Sequence, residues 1–206
     1  MNHNISVSNG TEKNRFYMGA GYIEEEGLIE NEKFKKFTFN LNNELELTDA
    51  IKIGVNLGGS DSRLPQLHSF SSALNATPIV NPFNDILGIY NQMPIEIGGA
   101  QIGNPLLEVE GKKNTNISRN TRFVGSIFTE IKFLKDFKFR ASYLTDLTFS
   151  KGRAYTPVFN VYAAETDQTT LYGSNALTGV SQYRKKKKKL QQDYLLTYTK
   201  SLGDHN

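Results

Sequence analysis

The sequence predicts an all-β fold of about seven antiparallel strands in up-and-down order, and three observations carry this prediction. Apolar residues alternate with polar ones over residues 34–57 and again over residues 121–149. Three residues that include an aspartate interrupt each stretch, at 48–50 and at 134–136. No apolar run approaches the ~18–20 residues that a membrane-spanning helix needs. Because successive strand side chains point to opposite faces, both stretches are predicted to be β-hairpins.

The remaining strands have weaker patterns. Residues 4–8 and 15–23 alternate in polarity on either side of a turn-forming cluster at 9–14, which predicts two strands and a turn. A last strand is expected through Tyr194, Leu196 and Tyr198. Together with the two hairpins, these segments make seven strands.

The connections alternate between short and long. Residues 60–120 and about 151–189 lose the period of two and are rich in Gly, Asn, Ser and Thr, so both are predicted to be long irregular segments. In an up-and-down sheet, this alternation puts every short turn at one edge and every long loop at the other. Outer-membrane barrels show that sorting, with short periplasmic turns and long extracellular loops. The predicted fold is therefore a partial up-and-down antiparallel transmembrane β-barrel.

Composition excludes several classes of protein. The chain of 206 residues has no cysteine, which excludes disulfide frameworks, thiolate metal clusters and cysteine nucleophiles. The formal net charge is +3, which is too small to indicate a nucleic-acid partner. His3, His68 and His205 are scattered and lack the spacing of a metal site. No catalytic constellation, cofactor motif or metal motif is present, so the chain is predicted not to be an enzyme.

Several segments, in order along the whole chain, resemble the SusC/RagA-like TonB-dependent transporters of the Bacteroidetes outer membrane. HNISVSNGTEK at 3–13 is similar to the family's "HN-hydrophobic-SVSGGTEK" segment, and GY at 21–22 with EGLI at 26–29 is similar to its "LGY…EGI" continuation. The other segments that carry the resemblance are FKKFTFNL at 34–41, NPL at 104–106, NTN at 114–116, RFVG at 122–125 and LGDHN at 202–206.

This resemblance implies a function and a setting. Residues 1–206 are expected to be an internal fragment of the barrel domain, with the plug domain and the rest of the ~22-stranded barrel absent. The complete protein is expected in the outer membrane of a Gram-negative bacterium, in contact with lipid and lipopolysaccharide. It is expected to import oligosaccharides, peptides or similar nutrients with TonB and a SusD-type surface lipoprotein. The alternative is a soluble all-β carbohydrate-binding module, whose apolar strand faces pack together.

Strand parity predicts which residues face lipid. Apolar residues at odd positions of the hairpins should face lipid, and charged residues at even positions should face the lumen or plug. The predicted lipid-facing residues are Phe37, Phe39, Leu41, Ile53, Val55, Ile127 and Tyr143; the predicted lumen-facing residues are Glu44, Lys52, Glu130 and Arg140. Two aromatic girdles are expected, formed by Phe34, Phe37 and Phe39 at the loop edge and by Phe133, Phe137 and Phe139 at the turn edge. The alternative for these rings is an ordinary β-sheet core.

Two further expectations concern the long loops. The segment 60–120 carries more apolar and aromatic residues than a solvated loop needs, which predicts contacts either with the ligand or lipoprotein or with neighbouring loops. The predicted contact residues are Leu64, Leu67, Phe70, Phe83 and Tyr90. The six consecutive cations at 184–189 are expected in a loop stem at the outer membrane surface, where they either bind lipopolysaccharide phosphates or are simply solvated.

Overall fold

The computed structural model describes residues 1–29, 32–64, 71–76, 80–93, 103–112, 116–171 and 177–200. Its elements, in chain order, are β1 (Asn2–Gly10), β2 (Asn14–Glu26), β3 (Lys33–Glu46), β4 (Ile51–Leu64), α1 (Ser71–Asn75), β5 (Phe83–Asn84), β6 (Ile89–Asn91), α2 (Pro105–Lys112), β7 (Ile117–Phe133), β8 (Phe137–Thr156), β9 (Asn160–Ala163), β10 (Gln168–Leu171) and β11 (Gly179–Tyr198).

Seven strands form one antiparallel sheet, which we call the wall. Its order is β1-β2-β3-β4-β7-β8-β11, so each wall strand pairs with the wall strand that precedes it in the chain. The prediction of seven antiparallel strands in up-and-down order is confirmed. The wall is an open sheet, with β1 and β11 at its two edges.

The wall has short turns at one edge and long connections at the other. The β1–β2 turn closes where the Thr11 amide donates to the Asn14 carbonyl, at 2.7 Å. The Leu47 amide donates to the Ile51 carbonyl at 2.9 Å, so three residues close the β3–β4 hairpin. Three residues, 134–136, also close the β7–β8 hairpin. The connections at the opposite edge span 27–32, 65–116 and 157–178, which confirms the predicted sorting of loops.

The two segments predicted to be irregular contain more structure than expected. β4 continues to Leu64 and β7 begins at Ile117, and α1, β5, β6 and α2 lie between them. The second segment includes the end of β8, all of β9 and β10, and the first half of β11. The reason is that a period of two reports burial of one strand face. Where a strand has polar residues on both faces, the period disappears although the hydrogen bonds persist.

The cationic run at 184–189 is therefore not in a loop stem. It lies inside β11 and pairs with residues 146–151 of β8. Since strand side chains alternate between faces, the six cations divide into two sets of three. Arg184, Lys186 and Lys188 share one face of the wall, and Lys185, Lys187 and Lys189 share the other.

Within the part of the chain that the structure describes, no helix is long and apolar enough to cross a membrane.

Candidate functional site

The wall has one apolar face, and the register places the predicted lipid-facing residues on it. Val55 lies opposite Ile127, and Ile127 lies opposite Tyr143. Leu41 lies opposite Leu57 on the same face. Phe37 is 48% exposed and Ile127 is 49% exposed, so large apolar side chains on this face remain uncovered. A soluble sandwich would pack such a face against a second sheet, and within the described residues these side chains have no such cover.

Aromatic rings mark both ends of the apolar face. Phe133 stacks on Phe137 at 5.6 Å between ring centroids near the short turns, and Phe39 lies 6.4 Å from Phe123 nearer the long connections. Between Phe37 and Leu47 the strand advances ten residues, which at about 3.4 Å per residue and a tilt of about 40° spans about 26 Å. This matches the ~25 Å apolar band of a membrane barrel.

One predicted girdle residue lies on the wrong face. Phe34 lies opposite Glu25 and occupies an even position of β3, so it shares the polar face of the wall and not the face of Phe37 and Phe39. The other five predicted girdle residues lie at odd positions of β3, β7 and β8, on the apolar face.

The opposite face of the wall carries paired charges. Lys52 lies 2.7 Å from Glu44, and the Glu130 carboxylate lies between Lys138 at 3.8 Å and Arg140 at 4.0 Å. The Arg140 guanidinium also lies over the Phe128 ring, 3.9 Å from its centroid. The Glu130 side chain is only 15% exposed, so charged groups here are more enclosed than the apolar residues of the other face. This inverts the polarity of a water-soluble sheet protein.

The two longest connections meet in a second sheet, which we call the head. Its strand order is β10-β9-β6-β5, and its central pair is parallel, with Tyr90 opposite Val161 and Asn91 opposite Tyr162. The Gln92 amide extends this pairing by donating to the Tyr162 carbonyl at 2.8 Å. The head therefore joins residues 80–93 to residues 160–171, while α2 contacts β8 of the wall.

The two long connections contain buried apolar residues. Met93 and Val161 are each 1% exposed, and Leu107 of α2 and Ala163 of β9 are also buried. These residues come from both long connections. The density of apolar residues in the segment 60–120 is thus explained in part by packing between loops, one of the two contact modes predicted from the sequence.

A buried asparagine links α2 to the head sheet. Asn104 is 0% exposed, and its Nδ2 donates to the carbonyls of Pro82 and Asn91, both at 2.8 Å. Its Oδ1 accepts from the amides of Leu106 at 3.0 Å and Leu107 at 3.4 Å, which caps the N-terminus of α2. The Asn-Pro pair that begins this helix is a recognisable capping signal, since proline is favoured at the first helical position.

The predicted contact residues divide into three groups. Phe83 and Tyr90 are brought together in the head, with ring centroids 5.0 Å apart at 72°, and Tyr90 also meets the Phe159 ring edge-on at 6.4 Å. Leu64 ends β4 of the wall and is exposed. Leu67 and Phe70 lie outside the described residues. Ligand or lipoprotein contact by these five residues stays a prediction.

The most exposed apolar residues of the head belong to the apolar set that the sequence predicts to need a partner in the segment 60–120. Ile86, at 95% exposure, and Leu87 lie in the turn between β5 and β6. Asn84 fixes this turn, because its Oδ1 accepts from the amides of both residues at 3.1 Å. Asn84 and Gly88 flank the turn, and both are residues that turns favour. We call Ile86 and Leu87 the head tip.

The polar groups of the head do not indicate catalysis or metal binding. Tyr162 donates from its hydroxyl to Asp167 at 2.6 Å, and this hydrogen bond to a carboxylate raises the pKa of the Tyr162 phenol. Among the described residues, no group of three or more His, Cys, Asp or Glu side chains could hold a metal ion. The head is therefore a candidate contact surface.

Comparison with known proteins agrees with the resemblance found in the sequence. No protein-family model matches the chain. TonB-dependent receptor P26 of Formosa agariphila is 25% identical over 157 residues, which cover 75% of this chain and 15% of that receptor. TonB-dependent receptor P3 of the same organism is 22% identical over 215 residues, which cover 100% of this chain and 20% of that receptor. The predicted resemblance to TonB-dependent transporters is confirmed.

Solved structures of an importer share the fold of this chain. The RagAB peptide importer in its closed-closed state has a TM-score of 0.58 at 15% identity, covering 97% of this chain and 30% of that chain. In its open-open state the TM-score is 0.57 at 20% identity, covering 75% of this chain and 18% of that chain. The chain spans a fifth or less of its curated relatives. All these relatives are named as receptors or importers, which agrees with the prediction that the chain is not an enzyme.

Proposed function

We propose that residues 1–206 form part of the barrel wall and part of the extracellular surface of an outer-membrane TonB-dependent importer. The observation that carries this proposal is the inverted polarity of the wall, with an uncovered apolar face about as tall as a lipid bilayer core. The loop sorting supports it, because all long connections leave one edge and two of them build the head. The plug domain and the remaining strands belong to the rest of the complete protein.

The proposed cargo is a peptide, an oligosaccharide or a similar nutrient. The RagAB structures are those of a peptide importer, which supports peptides as the first class to test. The proposed partners are TonB, which would supply the energy, and a SusD-type surface lipoprotein. The lipoprotein would dock on the head, because the head tip exposes apolar side chains on a turn that its own hydrogen bonds already hold.

The test is uptake by cells that carry the complete transporter, with labelled peptide mixtures and labelled oligosaccharide mixtures as separate probes. We expect uptake of one class, and we expect deletion of TonB to abolish it. Uptake that continues without TonB, or no uptake of either class by a correctly assembled barrel, would contradict the proposed import function.

Docking is tested with the double variant Ile86→Ser and Leu87→Ser. It removes apolar side chains but keeps the amides that Asn84 binds, so the turn should persist. We expect normal barrel assembly and loss of the co-purifying lipoprotein. The matched control is Leu28→Ser, which changes a fully exposed leucine outside the head, between β2 and β3. Equal retention of the lipoprotein by both variants would refute docking at the head tip.

A further inference from the structure

Five cations cross the wall in a single row. Lys35 lies directly opposite Arg63, and Arg63 lies opposite Arg119. Arg119 lies opposite Lys151, which lies opposite Arg184. Directly opposed residues of neighbouring strands share a face, so the five side chains form one row, which we call the cationic row. At about 4.8 Å per strand it spans about 19 Å.

The cationic row lies on the apolar face, beside the long connections. Two residues nearer the short turns, the same face presents Phe37 on β3 and Phe149 on β8, with Lys186 opposite Phe149 on β11. The Lys186 ammonium lies over the Phe149 ring, 5.6 Å from its centroid. Beyond these aromatics the face becomes the apolar band on β3, β4, β7 and β8, while β11 still carries Lys188 opposite Leu147. The surface therefore passes from cations to aromatic rings to aliphatic side chains along the strand direction.

Carboxylates neutralise only part of this charge. Arg119 makes a bidentate pair with Asp61, with Nη2–Oδ2 at 2.6 Å and Nε–Oδ1 at 2.8 Å, and Lys35 lies 3.0 Å from Glu24. Within the described ranges of the chain, the remaining cations of this surface form no ion pair. They are Arg63, Lys151 and Arg184 in the row, with Lys186, Lys188 and Arg153 beside it.

Like charges directly opposite each other in a sheet are unfavourable. A row in which Lys151 and Arg184 face each other without a carboxylate is therefore an arrangement that an external anion would stabilise. Two adjoining grooves of about 450 Å³ and about 520 Å³ follow the row, and both are lined by Arg119 and Lys151. An anion in either groove would lie within reach of several cations.

We propose that the cationic row binds the headgroup of a multiply phosphorylated membrane lipid, such as a diphosphorylated glycolipid, with its acyl chains on the apolar band. The row is continuous with the apolar band, and this favours a lipid over a free anion. A lipid can bury its acyl chains on the apolar band, whereas a soluble phosphate makes no contact there. On β11, Arg184 and Lys186 lie at the row and the groove beside it, whereas Lys188 is two residues further into the apolar band and Lys187 and Lys189 lie on the other face. This inference rests on the proposed function in one respect: the apolar face is toward lipid.

The test compares two quadruple variants of the complete transporter, purified in neutral detergent. The row variant carries Arg63→Gln, Lys151→Gln, Arg184→Gln and Lys186→Gln. The matched control removes four cations of the opposite face that line neither groove, with Arg15→Gln, Lys132→Gln, Lys187→Gln and Lys189→Gln. Binding of diphosphoryl lipid A in mixed micelles is measured by native mass spectrometry, with dephosphorylated lipid A and inorganic pyrophosphate as comparison probes.

We expect the row variant to bind diphosphoryl lipid A at least tenfold more weakly than the unmodified protein, and the control to stay within twofold. Dephosphorylated lipid A should bind at least tenfold more weakly than the diphosphoryl form, and pyrophosphate should not compete at equal concentration. Equal losses in both variants would reduce the effect to general electrostatics and overturn the proposal. Effective competition by pyrophosphate would assign the row to a free anion and overturn it as well.

Two further measurements separate this inference from the proposed function. If the row variant does not assemble, the double variant Arg184→Gln and Lys186→Gln on the exposed strand β11 replaces it, with an expected loss of at least threefold. TonB-dependent uptake is measured in parallel. If the row variant binds lipid as well as the unmodified protein and uptake is intact, the lipid-binding proposal is wrong and the import proposal stands. If the unmodified protein assembles but shows no uptake, the import proposal is wrong, whatever the lipid binding.

Discussion

The wall and the head differ in which side chains they expose and which they bury. In the wall, apolar residues such as Phe37 and Ile127 are half exposed, whereas the Glu130 and Asp146 side chains are only 15% and 16% exposed. In the head, Met93 and Val161 are buried, and the buried Asn104 has hydrogen-bond partners for both ends of its amide. The head follows the rule for a protein in water, and the wall follows the rule for a protein in lipid.

Under the proposed function, this difference means that the wall is suited to lipid and the head to water. Lipid favours apolar side chains on the outer face of a strand, so the wall needs no second layer to cover them. Water disfavours exposed apolar side chains, so the long connections bury theirs by pairing with each other. The boundary between these regimes lies near the cationic row, where the apolar face of the wall becomes charged.

The largest expected effect comes from placing a cation in the middle of the apolar face. Leu41→Arg should greatly reduce the amount of folded barrel, since a cation near the lipid midplane costs about 2–4 kcal/mol. Leu41 lies opposite Met18 and Leu57 on the apolar face. Asn42→Arg, one residue along and on the opposite face, should be tolerated. Folded barrel in outer membranes is measured by its heat-modifiable mobility on gels, and equal losses from the two variants would contradict the assignment of faces.

A smaller effect, confined to the head, is expected from Asn104→Ala. The change leaves the carbonyls of Pro82 and Asn91 without this donor and removes the cap of α2, which together should destabilise the head by about 1–3 kcal/mol. Hydrogen exchange in β6 and β9 should rise, while exchange in the wall should not change. Asn160→Ala, at an exposed position of β9, is the control. Faster exchange throughout the wall would show that the head and wall unfold as one unit.

The smallest effect is expected from the ion pairs on the polar face of the wall. Arg122 donates to Asp146 from Nη2 at 2.9 Å and from Nε at 3.1 Å, but the Arg122 side chain is 55% exposed. A double-mutant cycle with Arg122→Gln and Asp146→Asn should give a coupling energy of about 1 kcal/mol or less, as for other exposed pairs. Unfolding of the complete transporter in detergent provides the measurement. A coupling energy several times larger would mean that this face is far drier than the exposure of Arg122 indicates.

Much of the wall could be predicted from the sequence, because a period of two is a local property. The alternation over residues 34–57 and 121–149 was enough to predict both hairpins, the side of the sheet that carries Leu41 and Val55, and the edge at which the long loops leave. The order of the family segments along the chain was enough to indicate the resemblance that the comparisons confirm. None of these inferences depends on which distant residues meet.

The rest was decided by the tertiary structure, because it depends on register between strands far apart in the chain. Lys35 and Arg184 become members of one cationic row only when five strands pair with their actual offsets. The parallel pairing of β6 with β9 joins two loops that no sequence pattern relates, and it places Tyr90 beside Phe159. The first half of β11 was invisible to pattern analysis, since both of its faces are polar and alternation reports burial of only one face.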